Sequence, residues 1–90
     1  MSANVYKDRL TQRGRAVAQK LLCELNITVF DDDSICALQN ELDIRAASLV
    51  SAQEDGESID IELLEIYDLI TDILLDNEDD PELLNKLFLD

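Results

Sequence analysis

Residues 58–76 read SIDIELLEIYDLITDILLD, and two helical patterns share this stretch. At 100° per residue, Ile59, Leu63, Ile66, Tyr67, Ile70, Ile73 and Leu74 fall within one broad arc, the apolar stripe of an amphipathic helix. Glu62, Glu65, Asp68, Asp72 and Asp76 fall together on another arc, with no Lys or Arg among them. Ile61, Leu64 and Leu75 lie outside the core stripe, so apolar side chains occupy much of the circumference. A helix of this kind is contacted from more than one side, which makes the stretch the expected centre of a helical bundle.

The acidic arc carries a cost. Carboxylates three or four residues apart on a helix are neighbours, and each like-charge pair destabilises an isolated helix by roughly 0.2–0.5 kcal/mol, so four successive pairs cost on the order of 1–2 kcal/mol. Packing of the apolar stripe offsets this. Two readings follow: a solvated face that keeps an acidic protein soluble, or a docking surface for something cationic.

Ninety residues support one domain with a modest core. Hydrophobic residues make up 47% of the chain, too many for a disordered segment, and two Gly and one Pro leave little punctuation. The expected fold is therefore all-α, a small bundle of three main amphipathic helices at about 6–25, 32–53 and 58–76 plus a short C-terminal helix at 81–89. The net charge of −14 is uneven: residues 1–30 carry +3 and residues 31–90 carry −17. Such a chain is repelled by nucleic-acid phosphates and anionic membranes beyond its first helix and attracts basic proteins.

On the first helix, Leu10, Gly14, Val17, Ala18, Leu21 and Leu25 share the inward face, and Arg9, Arg13 and Lys20 share a second. That basic stripe has the period to lie along the acidic stripe of the third helix, either within one molecule or between two copies. Residues 26–30 read as an extended connection. Asp31 then serves as an N-cap, with Phe30 and Ile35 in the hydrophobic-staple positions and Asp32 and Asp33 at the positive end of the dipole. Ile35, Leu38, Leu42, Ala46, Leu49 and Val50 form the inner face of the second helix. Gly56 ends it, and Asp55 or Ser58 is the expected cap of the third. Asp80-Pro81 is a helix start, and Leu83, Leu84, Leu87 and Phe88 are placed to close the core.

No catalytic constellation is present. The chain lacks His, the two cysteines Cys23 and Cys36 have no metal-ligand spacing, and no Gly-rich loop could cradle a phosphate. The acidic run Asp76, Glu78, Asp79, Asp80 and Glu82 lacks the central Gly of a calcium-binding EF-hand loop and has Leu87 where that loop's bidentate Glu belongs. Neither an enzyme, a cofactor nor a dedicated metal site is expected. No signal peptide or membrane-length apolar run opens the chain, so a reducing, cytoplasmic location with free thiols is the expectation.

What remains is the surface field. Rows of carboxylates on helices present negative charge to proteins built to grip phosphates, the physics of nucleic-acid mimics and nuclease immunity proteins, to which this chain is similar in size, charge and helical content. The leading expectation is an acidic antagonist or immunity-type inhibitor. It would engage a basic partner, a nucleic-acid-binding protein or nuclease, through Glu62, Glu65, Asp68, Asp72 and Asp76. The alternative is a self-associating adaptor in which Ile61, Leu64 and Leu75 form a homodimer seam, joined by the basic residues Arg9, Arg13 and Lys20. Direct nucleic-acid binding is not expected.

Overall fold

The computed structural model describes residues 11–89, which form an all-helical bundle of three longer helices and a shorter C-terminal one, with no strand among them. They are α1 (Gln12–Glu24), α2 (Asp32–Glu54), α3 (Ile61–Asp76) and α4 (Pro81–Phe88). The expected start of the first helix, with Arg9 and Leu10, lies outside the described residues.

Each helix is delimited by its own polar signals. Thr11 Oγ1 accepts from Gly14 N–H at 3.0 Å and opens α1. The end of α1 is a Schellman motif, in which Ile27 N–H donates to Leu22 O and Asn26 N–H to Cys23 O. Asn26 is the left-handed residue that this turn requires, at φ +57°. The end of α2 repeats the arrangement with Gly56 at φ +87°, Glu57 N–H donating to Ala52 O and Gly56 N–H to Gln53 O.

At the start of α2, Asp31 accepts from Ser34 N–H and Ser34 Oγ accepts from Asp31 N–H, both at 2.8 Å, a reciprocal capping box. Phe30 and Ile35 are both buried, as the staple positions predict. Asp80 caps α4, with Pro81 at its first turn.

Two expectations about helix edges are corrected. The third helix begins three residues later than the apolar pattern suggests, because neither Asp55 nor Ser58 caps it: Asp60 does, accepting from Leu63 N–H at 3.1 Å. Val50 is 40% exposed rather than inward, because it sits at the flank of α2's apolar arc, whose centre is held by buried Ile35, Leu38 and Leu42.

The core is built around α3. Ile66, Tyr67, Ile70, Ile73 and Leu74 enter it from this helix, meeting Ala18, Leu21 and Leu22 of α1, Ile35, Leu38 and Leu42 of α2, and Leu84, Leu87 and Phe88 of α4. α3 packs most extensively along α2 and also against α1, while α4 rests on α1. The rings of Phe30 and Phe88 lie 5.9 Å apart, tilted by 43°, which joins the α1–α2 connection to the last helix. Phe30 N–H donates to Asn85 Oδ1 at 2.9 Å in the same place.

Polar groups that enter the interior are satisfied. Asn77, buried at the end of α3, donates from Nδ2 to Ile73 O at 2.8 Å, and its backbone carbonyl accepts from Asp80 N–H. Among the described residues no buried side-chain nitrogen or oxygen lacks a hydrogen-bond partner. No helix of the described residues is long and apolar enough to cross a membrane.

Candidate carboxylate face on helix α3

Burial of one side of α3 fixes what the other side can present. With Ile66, Ile70, Ile73 and Leu74 in the core, the outer surface consists of Ile61, Glu62, Glu65, Asp68, Asp72, Leu75 and Asp76, all exposed. The carboxylates occupy the middle and the C-terminal end of this face, and Ile61 and Leu75 flank Glu65, Asp68 and Asp72 with 47% and 56% of their surface accessible. Leu64 is half-buried, so it belongs only partly to the outer surface. It and half-buried Ile59 occupy the staple positions around the Asp60 cap.

The N-terminal end of the face is already engaged within the molecule. Arg13 of α1 reaches Asp60 Oδ2 and Glu62 Oε1, each at 2.5 Å, so one guanidinium bridges α1 to the first turn of α3. The Asp60 carboxylate lies below its ordinary range, chiefly because Arg13 donates to it and then because Leu63 N–H does. Arg13 is correspondingly pushed up by Asp60 first and Glu62 second. Both partners are about half exposed, so the contact orients the helices more than it stabilises them.

A second cation acts at the other flank of the bundle. Arg45 of α2 donates to Glu41 one turn earlier at 2.8 Å and to Glu24 of α1 at 2.6 Å. Its pKa is raised by Glu41 first, with the Tyr67 hydroxyl of α3 and the Glu24 charge adding to it. Arg45 thus joins α2 to α1, a role not apparent from a lone base on an acidic helix.

The predicted binding residues therefore divide. Glu62 belongs to an internal ion pair. The side chains of Glu65, Asp68 and Asp72 make no hydrogen bond or ion pair among the described residues. Asp76 is exposed at the last turn. Of the basic set, Arg13 points into the molecule's own α3, Lys20 is exposed and makes no ion pair among the described residues, and Arg9 is outside them.

Of two hollows in the surface, one reaches the edge of this face at Glu65. A shallow groove of about 220 Å³ between α1 and α3 is lined by Thr11, Gly14, Glu62, Glu65, Ile66 and Leu69. A larger one of about 400 Å³, at the junction of α1 and α4, carries no charged side chain among its lining residues and includes Cys23. Both cysteines are exposed free thiols. The described residues contain no His, Cys, Asp and Glu grouping able to hold a metal ion.

Comparison with protein-family models, curated proteins and solved structures finds no match for this chain.

Proposed function

We propose that this chain is a binding protein whose outer α3 face engages a basic surface of another protein, in the manner of an antagonist or immunity-type inhibitor. The fitting target class is a nucleic-acid-processing protein, because a surface built to attract phosphates also attracts a fixed row of carboxylates. The observation that carries this reading is the division of the acidic arc. The chain spends Arg13 on Asp60 and Glu62 but leaves Glu65, Asp68 and Asp72 exposed and unpaired among the described residues. Like charges one turn apart work against the helix that bears them, so their arrangement is better explained by an external cation than by folding.

A second reading, self-association through Ile61, Leu64 and Leu75, is favoured by the exposure of Ile61 and Leu75. Its geometry is unfavourable. Pairing Ile61 of one copy antiparallel with Leu75 of another puts the two-fold axis at Asp68, so the two Asp68 carboxylates meet and Asp72 lands on Leu64 of the second copy. A parallel pairing sets every carboxylate against its equivalent.

The test is affinity capture from a native-source lysate at about 0.1 M salt, where a Debye length of ~10 Å still permits surface attraction. A Glu65→Lys, Asp68→Lys, Asp72→Lys variant is run beside the wild type. The expected result is a basic nucleic-acid-handling protein retained by the wild type and lost with the variant, whose nucleic-acid binding the purified wild-type chain then inhibits. Recovery of the same proteins with both versions would overturn the proposal.

A further inference from the structure

We infer that Arg13 is a built-in competitor for the α3 face: it holds Asp60 and Glu62, carboxylates that an arginine of the partner would otherwise take. This rests on the docking role proposed above and concerns how that face is regulated. By helical period Glu62 belongs to the same arc as Glu65, Asp68, Asp72 and Asp76, one turn before Glu65. Glu62 and Glu65 also line one groove, together with apolar Ile66 and Leu69. Carboxylates three residues apart on a helix are neighbours that one guanidinium can span, and Ile66 and Leu69 give the aliphatic stem of an arginine an apolar floor.

The cation found at this end of the arc is the chain's own. The Arg13 guanidinium comes from α1, 49 residues away in sequence from Glu62, and meets Glu62 Oε1 and Asp60 Oδ2 at 2.5 Å each. The planar fork that spans two carboxylates here is also what proteins that grip phosphates present. The contact is thus an internal copy of the one proposed for the partner.

The hold is exchangeable. The side chains of Arg13, Asp60 and Glu62 are 45%, 46% and 64% accessible, and ion pairs this exposed contribute little to stability. Arg13 takes no part in the core, to which α1 gives Ala18, Leu21 and Leu22 and α3 gives Ile66 and Ile70, so its release costs no buried contact. Asp60 keeps the Leu63 N–H as its capping partner whether or not Arg13 is present.

The probe is a capped hexa-arginine peptide added to the isotope-labelled full chain at about 0.1 M salt. Amide signals are followed by NMR and affinity by fluorescence anisotropy. In the wild type the signals of Glu65, Asp68 and Asp72 are expected to shift. In Arg13→Gln the Glu62 signal should join them, and the peptide should bind about threefold more tightly, the scale of one added exposed ion pair. Lys86→Gln removes the same charge from an exposed site on α4 and should give a smaller gain. In an Asp60→Asn, Glu62→Gln background, which leaves neither carboxylate to release, Arg13→Gln should add no more than Lys86→Gln does. Denaturation of each variant checks that it is folded.

A gain from Arg13→Gln no larger than that from Lys86→Gln would overturn the competitor role and leave the docking role standing. So would a gain that persists in the Asp60→Asn, Glu62→Gln background, since Arg13 would then act through its charge alone. If Glu65, Asp68 and Asp72 do not respond to the peptide in the wild type, the docking role itself would fall.

Discussion

Arg13 and Asp60 are 47 residues apart in the chain, yet the guanidinium of one meets the carboxylate of the other at 2.5 Å, at the point where α3 begins. Asp60 holds two positions at once, as it also accepts from Leu63 N–H as the helix cap. The contact ties the orientation of α1 to the start of α3, and it engages Glu62 in an ion pair within the molecule. The two roles of Asp60 separate by substitution. Asp60→Asn keeps a capping oxygen but not the charge, whereas Asp60→Ala loses both. The expected order of thermal stability is wild type, then Arg13→Ala close to Asp60→Asn, then Asp60→Ala. An Arg13→Ala, Asp60→Asn double variant no less stable than either single variant would verify the coupling; full additivity would contradict it.

The core and the outer face of α3 should respond to substitution on different scales. Leu38 and Ile70 have no accessible surface, so Leu38→Ala or Ile70→Ala is expected to cost about 2–5 kcal/mol in urea denaturation. Ile61→Ser and Leu75→Ser should change stability by only about 0.5 kcal/mol. A large loss from either serine variant would mean that these side chains are packed.

Neutralising the outer carboxylates should strengthen the fold while weakening its binding. Glu65→Gln, Asp68→Asn, Asp72→Asn relieves the i,i+3 and i,i+4 repulsions, a gain on the order of 1 kcal/mol. Partner capture should be lost in the same variant, the trade of stability against function that marks a working surface. If capture persists, the carboxylates serve only solubility.

Acid should act through the caps. Asp60 is held low by Arg13 and then Leu63, and Asp31 by the Ser34 backbone N–H and then the Ser34 hydroxyl. Both carboxyls bind protons more readily in the unfolded chain, whose ordinary value is about 3.9. Their contribution is thus present above about pH 4 and lost as pH falls through that value toward the folded ones. The stability gap between wild type and Asp60→Asn, read from denaturation midpoints, should therefore narrow as pH falls below about 4, because the unfolded chain takes up the proton before the folded one does and progressively offsets the contribution of the charge. A gap that stays constant would exclude this linkage.

Asn85 should matter more than its place in a short terminal helix suggests. It accepts the backbone N–H of Phe30, beside the Phe30–Phe88 contact. Asn85→Leu leaves that donor unpartnered in a part-buried site, with an expected cost of about 1–3 kcal/mol. Loss of hydrogen-exchange protection at the Phe30 amide is the direct readout.

Much of this architecture is legible from local chemistry. Asp31 followed by Ser34, and Asp80 followed by Pro81, are start signals that work through atoms within one helical turn, and both caps form where they indicate. The core stripe of α3 is equally readable, because burial follows the 3.6-residue period once one face is apolar. The cap of α3 is less so. Asp55, Ser58 and Asp60 are chemically competent alternatives, and the structure places the helix start where Asp60 meets both Leu63 N–H and Arg13 of a different helix. Val50 illustrates the same limit: a residue at the flank of an apolar arc is inside or outside according to where the neighbouring helix ends, and here it is exposed.

By itself the sequence determined the helical class, the central position of the 58–76 segment and the existence of a row of carboxylates, because helix period, capping chemistry and net charge are properties of residues near one another in the chain. Tertiary structure decided which of those carboxylates are paired and which face outward among the described residues. Glu62 is paired with Arg13 and Leu64 is half covered, while Glu65, Asp68 and Asp72 are left between exposed Ile61 and Leu75. Charge pairing between helices depends on their packing in three dimensions, and no periodicity along a single helix contains that information.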